Sequence, residues 1–195
     1  YPDLAKGFTC AVLCNGAQLT KNNDGYKIVG DPTEGALLTA AAKADIWKEK
    51  LEQESSFVEE IPFDSERKKM TIVRRGEDNK LIVFVKGAPD VLLNDCVGFE
   101  EKGQSRGLTS GDRGRILKVN SDLADQAMRV LAVGYRILDK APDKYEAKEI
   151  EKDLAFAGLI AMIDPPRDEV KKAIVECKQS GIKTVMITGD HKNTA

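Results

Sequence analysis

The chain has 195 residues, of which 42% are hydrophobic, so it can bury a full core as one large domain or as one domain and part of another. Its 30 basic and 32 acidic residues leave a net charge of -2, which excludes an overall field that would attract nucleic acid or an anionic membrane. Four cysteines without a C-x-x-C pair and a single histidine exclude a zinc cluster and favour reduced thiols.

The spacing of apolar residues predicts a helix over 4–12 and a strand over 26–29. Asp31 then stands as an N-cap, with Pro32 at the first helical position and Glu34 at the third, before the apolar helix over 36–44. In such a capping box the Glu34 carboxylate reaches back to the Asp31 amide, and the local pattern favours this interpretation. The alternative is that Glu34 faces a ligand across the start of the helix.

Two further strands enclose a polar segment with several cations, and an aromatic residue ends the first of these strands. Strands are predicted over 57–63 and 70–74, with the polar residues between them. Phe63 is either a core residue or, beside Arg67 and Lys68, the platform for a stacked base with phosphates beyond it.

Residues 81–85 form an unbroken apolar run, which predicts a central strand buried on both faces and paired in a hairpin with the strand before it. Lys86 follows at a strand-to-helix corner, because Gly87 can turn the backbone and Pro89 suits the first position of a helix. Such a corner aims helix N–H groups and an ammonium at the same space, which suits an anionic ligand. A solvated lysine at the end of a strand is the alternative, and this segment alone favours it.

The second half of the chain is predicted to begin with a surface loop over 98–114, which is rich in glycine, serine and charge. The elements predicted after it are a helix over 115–128, a strand over 129–135, a short charged helix over 144–152 and an apolar strand over 154–163. Arg129 is either a cation at the rim of a site or an ordinary edge charge. The apolar run over 154–163 is about half the length that spans a bilayer, so no membrane crossing is predicted.

A domain boundary is predicted at Asp164-Pro165-Pro166-Arg167, because each proline fixes its own φ and restricts the residue before it. A helix over 170–177 and a strand over 183–187 follow, with Thr188-Gly189-Asp190 at the carboxyl end of the strand. This is the pattern of a β-α-β unit in an open sheet. The threonine and the aspartate of that segment are therefore candidates for a phosphate or metal-water contact.

Six short motifs stand in one order over nearly the whole chain. They are GDPTEGAL at 30–37, PFDSERKKM at 62–70, KGAP at 86–89, MRVLA at 128–132, DPPR at 164–167 and MITGD at 186–190. Together they resemble the cytoplasmic region of P-type cation ATPases. The segment GDPTEGALLTAAAKA is most similar to bacterial relatives of the sarcoplasmic reticulum calcium pump. Sodium/potassium, proton and magnesium pumps remain alternatives, because ion choice lies in membrane helices outside this segment.

The resemblance implies an α/β chain in two parts. Residues 1–163 would be an ATP-binding N domain, an antiparallel sheet flanked by helices, and residues 164–195 a partial phosphorylation domain with a haloacid dehalogenase-type, Rossmann-like β-α-β unit. The nucleotide-binding residues that it implies are Glu34, Phe63, Arg67, Lys68, Lys86, Gly87, Arg129, Leu131, Thr188, Gly189 and Asp190.

The roles of these residues also follow from the resemblance. Phe63 would stack on adenine, Glu34 would bond near the adenine amino group, and the two lysines would line the base and phosphate pocket. The residues at 129 and 131 would complete the rim toward the ribose and phosphates, and those at 188 and 190 would meet the terminal phosphate and Mg²⁺. In the calcium pumps an arginine often lies two residues after the stacking phenylalanine. Here that residue is Ser65, so a phosphate contact is either missing or taken over by Arg67.

The motif D-K-T-G-T, which holds the phosphorylated aspartate of the family, and the later G-D-G-x-N-D run do not occur in the chain. It is therefore predicted to bind ATP or ADP and to be inactive alone, as part of a P-type pump that couples ATP hydrolysis, through an aspartyl phosphate, to cation transport. Calcium is the cation that the motifs favour, and the complete protein would use ATP and Mg²⁺.

The absence of an initiator methionine before Tyr1 is interpreted as the mark of an excised piece of a longer protein. Its partners would be the transmembrane, actuator and remaining phosphorylation-domain segments of that protein, at the cytoplasmic face of a membrane, with no nucleic acid involved. Two alternatives are a soluble phosphatase of haloacid dehalogenase type and a non-catalytic interaction domain. The missing nucleophile counts against the first, and the aligned Phe63, Lys68 and Lys86 count against the second.

Overall fold

The computed structural model describes residues 2–23, 25–76, 78–164, 167–185 and 187. Within these ranges the helices are α1 (Pro2–Leu13), α2 (Pro32–Lys43), α3 (Lys48–Glu54), α4 (Pro89–Leu92), α5 (Ser110–Ala124), α6 (Ala147–Ile150) and α7 (Asp168–Gln179), and a short 3-10 helix, Leu93–Asp95, follows α4. The strands are β1 (Gln18–Asn22), β2 (Gly25–Val29), β3 (Ser55–Asp64), β4 (Lys69–Gly76), β5 (Leu81–Gly87), β6 (Cys96–Glu101), β7 (Gln104–Gly107), β8 (Arg129–Leu138) and β9 (Leu154–Met162). None of the helices in the described ranges is long and apolar enough to cross a membrane.

A seven-stranded sheet in the order β3-β4-β5-β8-β9-β6-β7 forms the centre of the molecule. Its neighbouring strands pair antiparallel, except that β6 runs parallel to β9. The strand β5 lies inside this sheet, and its residues alternate between two cores. Val83 and Val85 pack on one face and Phe84 on the other. The predicted central strand, buried on both faces, is confirmed.

Helices cover both faces of the sheet. The helix α1 packs on one face against β5, β8 and β9, and α2 packs on α1. The helices α4 and α5 pack on the other face against β8, where Leu92 and Ile116 join the core. The hairpin of β1 and β2 forms a separate small sheet against α2. The predicted fold class, an antiparallel sheet flanked by helices, is confirmed.

The prediction of a surface loop over 98–114 is wrong. This segment contains most of β6, all of β7 and the start of α5. The ring of Phe99 in β6 stacks on Phe156 of β9, and the Arg106 guanidinium lies 4.6 Å from the Phe99 ring centre. Thr109 then caps α5. Contacts with distant strands therefore order a segment whose composition is typical of a loop.

The helix predicted after the proline pair is confirmed as α7, which ends before Gly181 at a φ of 72°. The strand predicted over 183–187 is not formed at residues 183–185. An extended segment becomes a strand through hydrogen bonds to a neighbour, and no described strand pairs with these residues. Residues 188–190 lie outside the described residues, and the domain boundary at 164–167 remains a prediction.

Candidate functional site

An open cavity of about 570 Å³ lies where the start of α2 meets β3, β4, β5 and β8. Its lining consists of Gly16, Asp31, Thr33, Glu34, Leu37, Glu60, Phe63, Lys68, Met70, Lys86, Gly87, Ala88, Arg129, Val130 and Leu131. Sheet register explains part of this set, because Met70 and Lys86 are paired across β4 and β5 and so share the face that α1 covers.

The cavity brings together seven of the eleven predicted site residues. These are Glu34, Phe63, Lys68, Lys86, Gly87, Arg129 and Leu131. Arg67 is not part of the lining, and Thr188, Gly189 and Asp190 lie outside the described residues. Sequence reasoning missed Gly16, Glu60 and Thr33. A signal existed for Thr33, which stands beside Glu34 in the first motif, whereas nothing in the sequence links Gly16 to the cavity.

Glu34 and Lys86 form an ion pair at the wall of the cavity. The Lys86 ammonium, in a residue that is 8% exposed, donates to Oε1 of Glu34 and to the Cys14 carbonyl at 2.7 Å. The Gly16 N–H donates to Oε2 of Glu34 at 3.0 Å. The interpretation of Lys86 as a solvated lysine is therefore wrong. Its side chain lies inside the protein with two partners.

The capping-box interpretation of Glu34 is also wrong, although one half of the pattern is present. The Asp31 carboxylate accepts from the Glu34 N–H at 3.1 Å and caps α2, and this bond is the main cause that lowers the pKa of Asp31. The Glu34 carboxylate turns instead toward Lys86 and Gly16, since a hydrogen bond from a buried ammonium is stronger than one from an exposed amide. It thus lines the cavity, as the alternative required.

The loop behind Glu34 is held from both sides. The Asn15 side-chain amide donates to the Glu34 carbonyl at 2.9 Å, and the Lys48 ammonium donates to the carbonyls of Asn15 and Ala17 at 2.7 and 2.8 Å. Burial lowers the pKa of Lys48. Burial also raises the pKa of the neighbouring Cys14 thiol to about 11, so this thiol is neutral. These hydrogen bonds hold the backbone of Glu34 and the 15–17 segment beside it, and so hold the Glu34 carboxylate in position.

Phe63 presents its ring at the open side of the cavity. The residue is 62% exposed, which contradicts the interpretation of Phe63 as a core residue. A tight turn follows it, in which the Asp64 carboxylate accepts from the N–H groups of Glu66 and Arg67 at 3.0 and 2.8 Å. The turn ends at Lys68, whose φ of 50° is left-handed and whose exposed side chain lines the cavity.

Arg129, at the start of β8, is an exposed cation at the rim of the cavity. Its guanidinium donates to Thr33 Oγ1 at 3.2 Å and contributes to the lowered pKa of Asp31. The prediction of a rim cation therefore matches its position. Together with Lys68 it places positive charge at the exposed edge, whereas the charge of Lys86 is matched by Glu34. Apolar side chains such as Leu37 complete the wall.

Arg67 points away from this edge. Its guanidinium pairs with the buried Glu151 carboxylate and donates to the Pro62 carbonyl at 2.7 Å. A phosphate contact by Arg67 remains a prediction, and these two partners count against it.

The cavity can hold a flat aromatic group with an amino donor and a negatively charged tail. The exposed Phe63 ring supplies an aromatic face. Each carboxylate oxygen of Glu34 has more than one lone pair, so it can accept from a ligand while keeping its present partner. The two exposed cations, Lys68 and Arg129, suit anionic groups at the rim.

Comparison with known proteins gives a consistent result. A sequence model of the P-type ATPase cytoplasmic domain N matches residues 3–169. The chain is 45% identical over 183 residues to a calcium-transporting ATPase of Bacillus subtilis. The aligned segment covers 94% of the chain and 20% of that protein. It is 40% identical over 184 residues to calcium-transporting ATPase 1 of Lactococcus lactis, again 94% of the chain and 20% of that protein. A cation-transporting ATPase of Synechocystis is 38% identical over 195 residues, 100% of the chain and 21% of that protein. The chain spans about a fifth of the length of these relatives.

Proposed function

Because the chain belongs to the P-type ATPases, in which it corresponds to cytoplasmic domain N, we propose that its cavity binds the adenine nucleotide of an ion pump. One observation carries this proposal. A largely exposed phenylalanine ring, a carboxylate held by a buried lysine and two exposed cations line the same cavity. The volume of about 570 Å³ lies within the range of small-molecule sites.

The adenine end of the nucleotide is assigned to Phe63 and Glu34. The Phe63 ring stacks on the base, and the Glu34 carboxylate accepts a hydrogen bond from its amino group. Lys86 acts through Glu34, since its ammonium already has two partners. Gly87, beside it, lets the backbone of the 64–68 turn come close, because a Cβ there would stand 2.5 Å from the Lys68 carbonyl.

The ribose and phosphate end is assigned to the rim of the cavity. Lys68 and Arg129 offer ammonium and guanidinium donors to the phosphates, and Leu131 gives the ribose an apolar contact. Thr188 and Asp190 are proposed to meet the terminal phosphate and Mg²⁺, which would neutralise phosphate charge in the complete protein.

The complete protein is proposed to be a cation-transporting ATPase, with calcium as the favoured cation. The support is that two of the relatives compared above are named calcium-transporting ATPases and the third a cation-transporting ATPase. The present chain would act at the cytoplasmic face of the membrane, together with the transmembrane, actuator and remaining phosphorylation-domain segments. Because the chain contains no D-K-T-G-T run, we expect it to bind nucleotide without turning it over.

A calorimetric titration of the 195-residue chain with ATP, ADP, adenosine and tripolyphosphate tests this function. We expect ATP and ADP to bind with a Kd of roughly 0.1 to 1 mM, which corresponds to about -4 to -6 kcal/mol. Tripolyphosphate should bind far more weakly than ADP, because the adenine contacts dominate. Replacing Lys68 by alanine should weaken ATP binding, and replacing the exposed Lys140, which lies outside the cavity, should not. Absence of saturable ATP binding, or steady release of phosphate from ATP, would contradict the proposal.

A further inference from the structure

A buried ionic cluster lies next to the cavity without lining it. Glu151, just after α6, is 4% exposed, and its carboxylate pairs with the Arg67 guanidinium. It also accepts from Thr71 Oγ1 at 2.5 Å and lies 3.3 Å from the Lys69 ammonium. Lys69 in turn donates to Asp95 at 2.6 Å. Two cations and two carboxylates thus balance each other, of which Lys69 and Glu151 are buried, and this makes the buried charge of Glu151 tolerable.

The cluster is attached to the segment that carries two of the cavity residues. One guanidinium nitrogen of Arg67 donates to Glu151, and the other donates to the Pro62 carbonyl. The Arg67 side chain therefore links Glu151 to the backbone just before residues 63–68 as well as to that segment itself. We call residues 63–68 the platform turn. Phe63 opens the platform turn and Lys68 closes it.

The backbone of the platform turn needs this support. Lys68 has a left-handed φ of 50°, which a residue with a Cβ adopts only where its surroundings hold it. Its carbonyl accepts from the Ala88 N–H at 3.1 Å, which fixes the end of the turn against β5. The bond from Arg67 to Glu151 fixes the turn to the C-cap residue of α6, and neither partner lines the cavity. Without the Glu151 charge, Arg67 would lose this ion pair and would keep only the Pro62 carbonyl as a partner.

We propose that Glu151 is a positioning residue of the nucleotide site, which acts through Arg67 to hold the Phe63 ring and the Lys68 ammonium in place. This inference rests on the proposed function, since it concerns the same cavity. It assigns Arg67 to the support of the platform turn rather than to a phosphate. It also gives a role to a residue 84 positions away from Arg67 that is not among the residues lining the cavity.

The test uses Glu151→Gln, which keeps the shape of the side chain and removes its charge. The matched control is Glu100→Gln, because Glu100 is also a buried carboxylate but bonds to the Tyr135 hydroxyl, away from the platform turn. Amide hydrogen exchange without ligand should become at least 10-fold faster for residues 66–68 in Glu151→Gln and stay unchanged there in the control. Unchanged exchange in Glu151→Gln would overturn the proposal, whether or not the wild-type chain binds nucleotide.

A parallel ATP titration tests the link to the site. We expect the Kd to rise about 5- to 20-fold in Glu151→Gln and less than 2-fold in Glu100→Gln. In a chain that already carries Phe63→Ala, the added Glu151→Gln should raise the Kd by a clearly smaller factor, because the Phe63 ring that Glu151→Gln would misplace has already been removed. An equal factor in both backgrounds would show that Glu151 does not act through the Phe63 ring and would overturn the proposal. If Glu151→Gln does not fold, Arg67→Gln breaks the same contact from its more exposed partner and should give the same exchange and binding changes. Failure of the wild-type chain to bind ATP would refute the proposed function, while the exchange result would still decide whether Glu151 holds the turn.

Discussion

Replacing Phe63 by alanine separates stacking on a ligand from packing in a core. Phe63 is 62% exposed, so a little over a third of its surface is covered in the empty protein. Truncation of a fully buried phenylalanine costs about 3 to 5 kcal/mol of folding free energy, so Phe63→Ala should cost about 1 to 2 kcal/mol. The larger effect should fall on binding. Loss of base stacking costs about 1 to 3 kcal/mol, which raises the Kd for ATP about 5- to 150-fold.

Phe57→Ala is the matched control for this experiment. Phe57 lies on the same strand, β3, and is 57% exposed, but it does not line the cavity. Both variants should lose a similar amount of stability in urea unfolding. In calorimetric titrations with ATP, only Phe63→Ala should bind more weakly.

The larger ring in Phe63→Trp should retain much of the affinity, because it still offers a face to the base. Two results would refute the stacking argument for Phe63. Equal ATP affinities of the Phe63 and Phe57 truncations would show that the ring is not a platform. A Phe63→Ala chain that melts far below Phe57→Ala and yet binds ATP normally would show that the ring is a packing residue.

Two further predictions concern buried or paired charges. Lys86→Ala should lower the free energy of unfolding in urea by roughly 3 kcal/mol, because it leaves the Glu34 carboxylate with an unmatched charge, and a loss below 1 kcal/mol would contradict this. Hydrogen bonds from Arg106 and Thr109 lower the pKa of Asp112 below its ordinary value of 3.8, so its stabilising effect is fully present above that value, declines below it and is lost only as the pH falls through the lowered pKa. Asp112→Asn should therefore lower the melting temperature at about pH 7 and by a smaller amount at about pH 3, where part of the effect is already lost, and an equal difference at both pH values would contradict the assignment.

Sequence predicted the strands that carry long apolar runs, and it failed where distant contacts impose order. β5, β8 and β9 have such runs and were predicted within a few residues of their observed bounds. Most of β6 was predicted as loop, because the segment 98–114 is rich in glycine, serine and charge. One of its charged residues, Glu100, is nevertheless buried and accepts a hydrogen bond from the Tyr135 hydroxyl at 2.8 Å. The polar helix Lys48–Glu54 was missed for a similar reason, since its first residue is held by the carbonyls of Asn15 and Ala17.

The family motifs predicted many of the residues that line the cavity, but they did not predict which of these side chains pair with each other. Glu34 and Lys86 are 52 positions apart, and they meet only because α2 packs beside the sheet that contains β5. The local sequence pattern therefore favoured a capping role for Glu34 and a solvent-exposed position for Lys86. Arg67 and Glu151 are 84 positions apart, so the motif around Arg67 indicated a phosphate ligand and gave no sign of a buried partner.

The position of β9 in the sheet affects the order in which the chain can fold during its synthesis. β9 is the last strand among the residues that the structure describes, yet it lies between β8 and β6, and it begins 47 residues after β7 ends. At about 5 to 20 residues per second, a ribosome needs roughly 2 to 9 s to make the connecting segment. Throughout that interval the nascent β6–β7 hairpin has no neighbour in the sheet, and β8, once it has been made, has a free edge until β9 follows. Newly made chains should therefore be most exposed to aggregation and to chaperone binding before residue 162 has left the ribosome.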